Sequence, residues 1–392
     1  MRKNEKEINM INSENIFKRI DELEEEYIKI LEEFCLIESP TDYKDGVDAA
    51  SNYIIKKAES FGWKVERQKQ EIAGDCIRIT MNPDATEAPV CLSGHVDTVH
   101  PVGLFGTPAV RYDGDKMYGP GVSDCKGGIV ASLLAMAALS KENFTARPIK
   151  LILQSDEETS SVESNKTTIS YMCECARGAA AFLNCEPSVS GTAVLQRKGI
   201  AKYAFNITGK AAHAANCFNG ISAITEAAHK ILELEKYKDK SGITANCGII
   251  SGGTKINTVP EKCVLMVDFR FSNKDELSEV KEIAKKVADF SWVEGTTCEL
   301  VLKSMRDAME LVDTNIDLLE KANEIFELTN LPKLTSRSTG GGSDAAYTTQ
   351  CGIPTLDSFG VECGNIHSKD EYALIPSLKA SAKRIAAICC YI

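Results

Sequence analysis

Imidazole and carboxylate side chains recur in this sequence directly after short apolar runs. One such run, LILQSDEETS at 151–160, ends in three consecutive carboxylates, Asp156, Glu157 and Glu158. Carboxylates this close repel one another, and burying them costs several kcal/mol each unless a positive charge offsets them. An acidic turn that stays in water avoids this cost. The run alone therefore leaves two alternatives open, a solvated turn and a cation site.

Four other short clusters carry similar groups. They are SGHVDTVHP with His95 and Asp97, GPGVSDCKGG with Asp124, NCEPS with Glu186, and GNIHSKDEY with His367. Residues two apart in a strand face the same way, so Asp97 is placed to hold the His95 ring while its other nitrogen points at a metal. Taken alone, His95 is better explained as a hydrogen-bonded core histidine. Asp124 alone is a weak signal, and its glycine-rich turn lacks the Gly-Lys-Ser/Thr ending of a nucleotide loop.

The elements that must position these clusters alternate between strands and helices. The pattern of apolar residues predicts helices at 13–35, 46–60, 127–139, 315–327 and 375–390. It predicts strands at 76–81, 90–93, 149–154, 179–184 and 354–359, and a loop at 336–344. This alternation is typical of an α/β protein with a mostly parallel sheet covered by helices on both faces.

The pattern changes near Leu195. Strands are predicted at 200–208, 244–251, 263–271 and 298–303, with helices at 221–234 and 274–290. The order βαββαβ is that of a small ferredoxin-like unit of about 110 residues. The sequence therefore predicts one domain inserted into another. Residues 1–194 and 306–392 would form the main domain, and 195–305 the inserted one.

Five candidate ligands should converge on one edge of the main sheet. In open α/β sheets, ligands bind beyond the carboxyl ends of the strands. The candidates lie just after predicted strands or in the adjacent turns, and they are His95, Asp124, Glu158, Glu186 and His367. Two imidazoles and three carboxylates suit two zinc ions if Asp124 bridges them. Two dications would offset the carboxylate repulsion and leave Glu157 free as a base.

Together with STGGGSDAAY and LDSFG, these motifs resemble those of the di-zinc metallopeptidases, a family that includes glutamate carboxypeptidase, aminoacylase and succinyl-diaminopimelate desuccinylase. The resemblance extends from about residue 20 to the C-terminus. It implies that His95, Asp124 and Glu186 bind one zinc ion and that Asp124, Glu158 and His367 bind the other, with Co²⁺ or Mn²⁺ as substitutes. It also implies that Asp97 orients His95, that Glu157 is the general base, and that 195–305 is a lid and dimerisation domain.

The resemblance assigns a further histidine to the inserted domain. By that resemblance, His213 in ITGKAAHAA acts across a dimer interface and steadies the oxyanion in the other subunit's active site. An ordinary surface or interface histidine is the alternative.

Several polar residues occupy positions at which glutamate-releasing relatives have polar groups around the substrate. Asn257, Arg270 and Arg306 are candidates, since arginine is shaped for bidentate capture of a carboxylate. Arg270 is equally compatible with a structural ion pair. Gly341 and Gly342 would offer backbone N–H groups to the same carboxylate, with a flexible loop as the alternative.

The implied reaction is hydrolysis of the amide bond next to a C-terminal carboxylate-bearing residue, with glutamate the leading expectation. A hydroxide bridging the two zinc ions would attack, because metal binding lowers the pKa of water from about 15.7 to about 7. Glu157 would move the proton to the departing amine. The alternatives are an N-acyl amino acid amidohydrolase, of aminoacylase or desuccinylase type, an aminopeptidase, and a metal-binding regulatory homologue without activity. Thr192 stands where glutamate-releasing relatives have a lysine, which weakens the case for glutamate.

Composition narrows the classes of partner. The chain has 392 residues, a net charge of −11 and a pI near 5.2, which argue against nucleic acid and anionic membranes. The first residues lack the apolar core of a signal peptide, and no stretch approaches the 18 uncharged apolar residues of a membrane span. Fifteen scattered cysteines are typical of reduced thiols in the cytoplasm. We therefore expect a cytoplasmic homodimer that acts on small peptides or N-acyl amino acids.

Overall fold

The computed structural model describes residues 13–238 and 242–392, and the chain forms two compact units. The first unit comprises Met1–Leu195, Leu311–Arg337 and Tyr347–Ile392, and the second Gln196–Glu310 and Ser338–Ala346. Residues 1–12, which the predicted main domain includes, lie outside the described part. Each unit is described separately below.

The helices of the described residues are α1 (Ser13–Cys35), α2 (Lys44–Ser60), α3 (Gly127–Lys141), α4 (Thr167–Ala176), α5 (Ala223–Leu234), α6 (Lys274–Asp289), α7 (Asp313–Leu328), α8 (Ala345–Gln350) and α9 (Ile375–Tyr391). The strands are β1 (Lys64–Gln68), β2 (Cys76–Met81), β3 (Val90–His95), β4 (Arg111–Asp113), β5 (Lys116–Tyr118), β6 (Ile149–Gln154), β7 (Ala181–Asn184), β8 (Thr192–Arg197), β9 (Gly199–Thr208), β10 (Thr244–Gly252), β11 (Lys262–Phe271), β12 (Thr297–Arg306), β13 (Thr335–Thr339), β14 (Thr355–Asp357), β15 (Cys363–Gly364) and β16 (Tyr372–Leu374). Each helix and strand predicted from the sequence has a counterpart, with ends that differ by a few residues.

The first unit is built around α3, whose sequence GGIVASLLAMAALSK is apolar on every face. Its residues from Gly127 to Leu139 are buried, and it packs against α1 and α9. The segment Val122–Lys141 is long and apolar enough to cross a membrane by length and composition, yet its apolar 18-residue window is buried inside the protein. A core helix of a packed unit has this property.

The large sheet of the first unit is mixed, and the expectation of a mostly parallel sheet is therefore wrong. The strand order is β1-β2-β6-β3-β7-β14-β8-β13. The central strands β6, β3, β7 and β14 are parallel, whereas β1 with β2, β2 with β6, and β14 with β8 are antiparallel. The short connection 69–75 between β1 and β2 suits an antiparallel pair, because a parallel pair needs a longer crossover. The parallel centre still aligns the carboxyl ends of β3, β6 and β7.

A small sheet in the first unit was missed in the sequence. Its order is β15-β16-β5-β4, and each neighbouring pair is antiparallel. Strands of two or three residues are too short to show an alternating pattern, which explains the omission. In the same way, β13 occupies the first part of the segment predicted as a loop at 336–344.

The second unit has the chain order β9-α5-β10-β11-α6-β12. Its sheet has the order β10-β11-β9-β12, with antiparallel pairs throughout, so β10 and β12 are the edge strands. Alternate residues of β9 and β11, such as Phe205 and Phe269, form its core with the apolar stripe of α6.

The predicted domain limits at 194 and 306 differ from the compact units. Residues 306–310 and 338–346 group with the second unit, although the sequence assigned them to the main domain. Hydrogen bonds explain the grouping. Arg197 and Met309 exchange backbone N–H···O bonds, and the N–H of Lys198 donates to the carbonyl of Thr339.

A buried ion pair lies within the second unit. Lys230 Nζ is 3.0 Å from Glu226 Oε1, and both side chains are at most 1% exposed. Lys230 also donates to the carbonyls of Val287 and Phe290. Val287 lies in the last turn of α6, and Phe290 directly follows the helix. Glu226 Oε2 accepts the backbone N–H of Val293. The pair therefore fixes α5 against the C-terminal end of α6.

We predict that Glu226→Gln lowers the free energy of unfolding of the second unit by about 3 kcal/mol, because the buried charge of Lys230 loses its partner. The measurement is urea unfolding followed by Trp292 fluorescence in a Trp63→Phe background. The matched control is Glu233→Gln, which removes an exposed pair with Lys236 and should cost less than about 1 kcal/mol. Equal losses in the two variants would contradict the prediction.

Candidate active site and metal centre

Three parallel strands deliver side chains to one edge of the large sheet. In the register of the sheet, His95 at the end of β3 pairs with Gln154 at the end of β6. Ser93 pairs with Asn184 at the end of β7. The segments that follow β6 and β7 carry Glu157, Glu158 and Glu186, so these carboxylates and His95 start from neighbouring positions.

The other two candidate ligands come from a tight turn and a loop. Asp124 lies in the turn Val122–Lys126 that leads into α3, and the Asp124–Cys125 peptide bond is cis. His367 lies in the loop between β15 and β16. Gly128 lets α3 approach the segment before Glu186, since a Cβ at that position would lie 1.8 Å from the carbonyl oxygen of Cys185.

The carboxylate of Asp124 lies between the two imidazoles. Its Oδ1 is 2.9 Å from His95 Nε2, and its Oδ2 is 3.2 Å from His367 Nε2. Glu186 Oε1 is 3.6 Å from His95 Nε2, and Glu158 Oε2 is 3.4 Å from His367 Nε2. The structure thus brings together all five predicted ligands, in two groups that share Asp124.

The charges of this cluster are strongly coupled. Burial and the nearby charge of Asp124 raise the pKa of Glu158 to about 7. Hydrogen bonds to Asp124 and then to Glu158 raise the pKa of His367 to about 10. Burial disfavours the charged forms of both His95 and Asp124. The hydrogen bond between them nevertheless raises the pKa of His95. Together with the hydrogen bond from His367, it lowers the pKa of the Asp124 carboxyl. Each imidazole therefore favours the charged form of the carboxylate beside it, as a bound cation would.

Asp97 connects His95 to the acidic turn. His95 Nδ1 is 3.0 Å from the backbone oxygen of Asp97 and 3.4 Å from its carboxylate oxygen Oδ1. That carboxylate accepts the backbone N–H groups of Glu157 at Oδ1 and Glu158 at Oδ2, at 3.2 and 3.1 Å. Its Oδ2 also accepts the hydroxyl of Thr41 at 2.8 Å. Asp97 therefore ties the end of β3 to the turn after β6.

The three consecutive carboxylates have different surroundings. Asp156 is fully buried, and its carboxylate accepts the backbone N–H of Ser164 and the hydroxyl of Thr168. Burial raises the pKa of Asp156 in spite of these hydrogen bonds. Glu157 begins a short 3₁₀ turn and is 7% exposed, while Glu158 belongs to the cluster around Asp124. A solvated acidic turn does not describe this segment.

Two predicted residues of the second unit lie on adjacent segments. His213 is exposed and begins a short helical turn, where its Nδ1 accepts the N–H of Ala215. Asn257 is exposed, and its carbonyl accepts the N–H of Ala214. Both belong to the second unit and not to the cluster of the five ligands in the first.

The predicted arginines and glycines also lie in the second unit. Arg270 forms an ion pair with Asp268 and donates to the carbonyl of Gly340. Arg306 is buried at the end of β12, and a Cβ on Gly342 would lie 2.8 Å from its Cδ. Gly341 and Gly342 therefore belong to a loop that packs closely against arginine side chains.

The sequence analysis missed several supporting residues. Arg197 Nη1 reaches the carbonyls of Gly341 and Gly342 at 3.5 and 3.4 Å. Thr41 holds Asp97, and His100 lies 2.7 Å from the buried carboxylate of Glu371. Each contact joins residues that are far apart in the chain, and no local motif indicated them.

These features define the class of protein: a mixed α/β unit with a cluster of imidazoles and carboxylates at its strand ends, as in metallohydrolases. The model of peptidase family M20/M25/M40 matches residues 91–390. The chain belongs to this family and is an enzyme of the metallopeptidase and hydrolase class.

Three comparisons illustrate the similarity. Carboxypeptidase G2 of Pseudomonas sp. (strain RS-16) is 28% identical over 359 residues, which cover 90% of this chain and 85% of the relative. Succinyl-diaminopimelate desuccinylase of Rickettsia felis is 24% identical, covering 90% of this chain and 96% of that protein. The crystal structure of a tripeptidase from Staphylococcus aureus superposes with a TM-score of 0.76 at 22% identity, covering 97% and 98% of the two chains. The structural similarity shows a shared fold.

We predict that Thr41→Val lowers the free energy of unfolding of the first unit by about 1–3 kcal/mol, because the buried carboxylate of Asp97 loses a donor. Valine has nearly the volume of threonine, so packing is preserved. The measurement is urea unfolding followed by Trp63 fluorescence in a Trp292→Phe background. Thr41→Ser retains the hydroxyl and should stay close to the parent protein. A loss of the same size in both variants would count against a role for this hydrogen bond.

Proposed function

We propose that this enzyme is a zinc-dependent hydrolase that cleaves the amide bond next to a C-terminal, carboxylate-bearing residue. The observation that supports it most is the position of the Asp124 carboxylate, with one oxygen toward His95 and the other toward His367. A carboxylate in that position is suited to bridge two cations. Glutamate is the leading candidate for the released residue, in line with the similarity to carboxypeptidase G2.

The donor set fits two zinc ions. His95, Asp124 and Glu186 would hold one, and Asp124, Glu158 and His367 the other, with nitrogen and oxygen ligands that zinc accepts. Co²⁺ and Mn²⁺ accept the same ligands. The raised pKa of Glu158 supports this assignment, because it reflects burial and the nearby charge of Asp124, and a dication would offset both.

The chain's own residues handle the proton. When bound, the metal ions would lower the pKa of water and polarise the scissile carbonyl. Glu157 adjoins the ligand Glu158 without being in either group of ligands, and its backbone is held by Asp97. We assign to its carboxylate the transfer of a proton from water to the departing amine. Asp97 would keep the proton of His95 on Nδ1 and so direct Nε2 to the metal.

Substrate recognition would fall to the second unit. Arg270 and Arg306 offer guanidinium groups for a carboxylate, with Asn257 and the N–H groups of Gly341 and Gly342 as further donors. We propose that this unit is the ferredoxin-like lid and dimerisation domain. The exposed edge strand β10 and its exposed Ile249 and Ile250 support pairing with a second copy. In such a homodimer, His213 would donate to the oxyanion in the other subunit.

An N-acyl amino acid amidohydrolase is the second candidate. The similarity to a desuccinylase over most of both chains favours it, and the same metal ligands and carboxylate donors would serve. A regulatory homologue without activity would have no need of Glu157 or of a complete ligand set.

We also propose a cytoplasmic location. All fifteen cysteines are free thiols, and only Cys217 and Cys351 are exposed. This supports a reducing compartment, because thiols persist there.

We predict that Glu157→Gln retains its zinc and reduces kcat by about a hundred- to ten-thousand-fold, the usual contribution of a general acid–base group. The measurements are bound metal by elemental analysis and hydrolysis of N-acyl glutamates. Glu174→Gln, which alters an exposed carboxylate paired with Arg177, is the matched control and should retain full activity. Chelation should abolish the activity of the parent enzyme, and zinc should restore it. Substantial turnover by metal-loaded Glu157→Gln would rule out this role.

A further inference from the structure

A cavity of about 610 Å³ lies beside Glu158 in the first unit. Two segments, 40–43 and 98–102, form most of its wall. They are joined by hydrogen bonds from the N–H of Thr98 to the carbonyl of Ser39 and from the N–H of Thr41 to the carbonyl of Thr98. The hydroxyl of Thr41 also reaches Asp97. The cavity wall is therefore fastened to the same carboxylate that holds the acidic turn.

The lining of this cavity is partly apolar, and its charged groups are acidic. Tyr43, Val99 and Val102 are 47%, 39% and 60% exposed, so apolar surface faces the space. Asp42 and Glu158 contribute carboxylates, and the residues that line the cavity include neither lysine nor arginine. Such a cavity suits an apolar, uncharged group, whereas a negatively charged group would lose hydration and meet carboxylates.

We propose that this cavity binds the acyl side of the substrate and selects apolar, uncharged acyl groups, aliphatic or aromatic, over dicarboxylic ones such as succinyl. The inference rests on the proposed function and disfavours the desuccinylase form of its second candidate. A substrate carboxylate needs cationic donors, and the residues that line this cavity supply none. The substrate residue that bears the carboxylate therefore does not bind in this cavity. The cavity is left for the group on the other side of the scissile bond.

The test is a series of compounds with one common amino acid and different N-acyl groups: benzoyl, isovaleryl and succinyl. The zinc-loaded enzyme should show a kcat/KM at least about tenfold higher for the apolar members than for the succinyl compound. Val102→Lys adds a cation to the cavity and should raise the succinyl-to-benzoyl ratio of kcat/KM. Ile72→Lys, a change at an apolar residue that is 71% exposed and does not line the cavity, should leave the ratio unchanged.

The outcomes distinguish a failure of the inference about the cavity from a failure of the proposed function. A preference for succinyl in the parent enzyme, or an equal ratio in Val102→Lys and Ile72→Lys, would overturn the inference about the cavity and leave the hydrolase intact. No hydrolysis of any member by the zinc-loaded enzyme would overturn the proposed function and the inference with it.

An independent observation concerns Glu371, a carboxylate with no exposed surface. Its Oε1 accepts three hydrogen bonds, from the N–H and the hydroxyl of Ser123 at 3.0 and 2.9 Å and from the N–H of Asp124 at 3.1 Å. Its Oε2 accepts a hydrogen bond from His100 Nε2 at 2.7 Å. Four donors thus converge on one buried carboxylate.

The position of Glu371 in the chain gives these contacts a consequence for the metal centre. The loop between β15 and β16 carries both His367 and Glu371. At its end, Glu371 holds the backbone of Asp124. Earlier in the same loop, His367 approaches the side chain of Asp124 to 3.2 Å. The backbone at His367 has a φ of 64°, an uncommon conformation for a residue with a side chain, which neighbouring contacts must maintain.

We infer that Glu371, held by His100, is a positioning residue that sets the separation of Asp124 and His367 and thereby the affinity for metal. Neither Glu371 nor His100 would bind the metal directly. Each acts through the backbone that presents the ligands, as outer hydrogen bonds do at other metal sites.

Glu371→Gln should bind zinc at least about tenfold more weakly, as measured by competition with chelators of graded strength. The amide keeps the size of the side chain but has one acceptor oxygen in place of two, so either His100 or the N–H groups of Ser123 and Asp124 lose their acceptor. Asp370→Asn is the matched control, since that neighbouring carboxylate pairs with Arg111 at the surface, and its zinc affinity should equal that of the parent protein. His100→Phe should also weaken binding, and the double variant should lose no more than about the larger single loss, because the two residues act as one unit.

A purely structural role gives a different result. It would lower the unfolding midpoint of the metal-free protein and leave zinc affinity unchanged at temperatures well below that midpoint. That result, or an equal loss of affinity in Asp370→Asn, would overturn the inference.

Discussion

Mutual repulsion among buried carboxylates is the constraint on which this structure depends. Asp124, Glu158 and Glu186 approach the same pair of histidines, and the nearby charge of Asp124 adds to burial in raising the pKa of Glu158. The fold holds them there by fixing the backbone. Two other carboxylates, Asp97 and Glu371, accept backbone N–H groups from the segments that carry the ligands. Hydrogen bonds within the protein therefore hold the acidic edge together without the help of a cation.

Residue type alone does not assign a role within this cluster. Asp156, Glu157 and Glu158 are consecutive, yet the first is enclosed by hydroxyl and N–H donors and the third faces a histidine. Since the same functional group serves as a structural acceptor in one position and as a candidate ligand two positions later, the partners decide its chemistry. This is why the acidic run by itself left a solvated turn as an alternative.

The sequence was most informative where regular structure positions the site. The apolar runs before His95, Glu158 and Glu186 predicted strands, and parallel strands place their ends at one edge. The antiparallel margins of the sheet were not predicted, because pairing direction depends on connections and not on the composition of a strand. The small sheet that carries the His367 loop was missed, because strands of two or three residues have no measurable periodicity.

Contacts between distant segments could not be predicted from the sequence for another reason. Thr41 with Asp97 and His100 with Glu371 join positions 56 and 271 residues apart. No spacing rule connects such residues until the sheet has brought them together. The compact units likewise differ from the predicted domains, because hydrogen bonds from Arg197 and Lys198 draw in segments from later in the chain.

The distribution of thiols has a practical consequence. Cys217 belongs to the second unit and Cys351 to the first, and they are the exposed ones among the fifteen. Burial keeps most of the others protonated and out of reach, so alkylating reagents should react with these two first. The natural chain thus offers one attachment point for a fluorophore on each unit. Energy transfer between the two dyes would follow the distance between the units in solution as substrate is added, without any engineered cysteine.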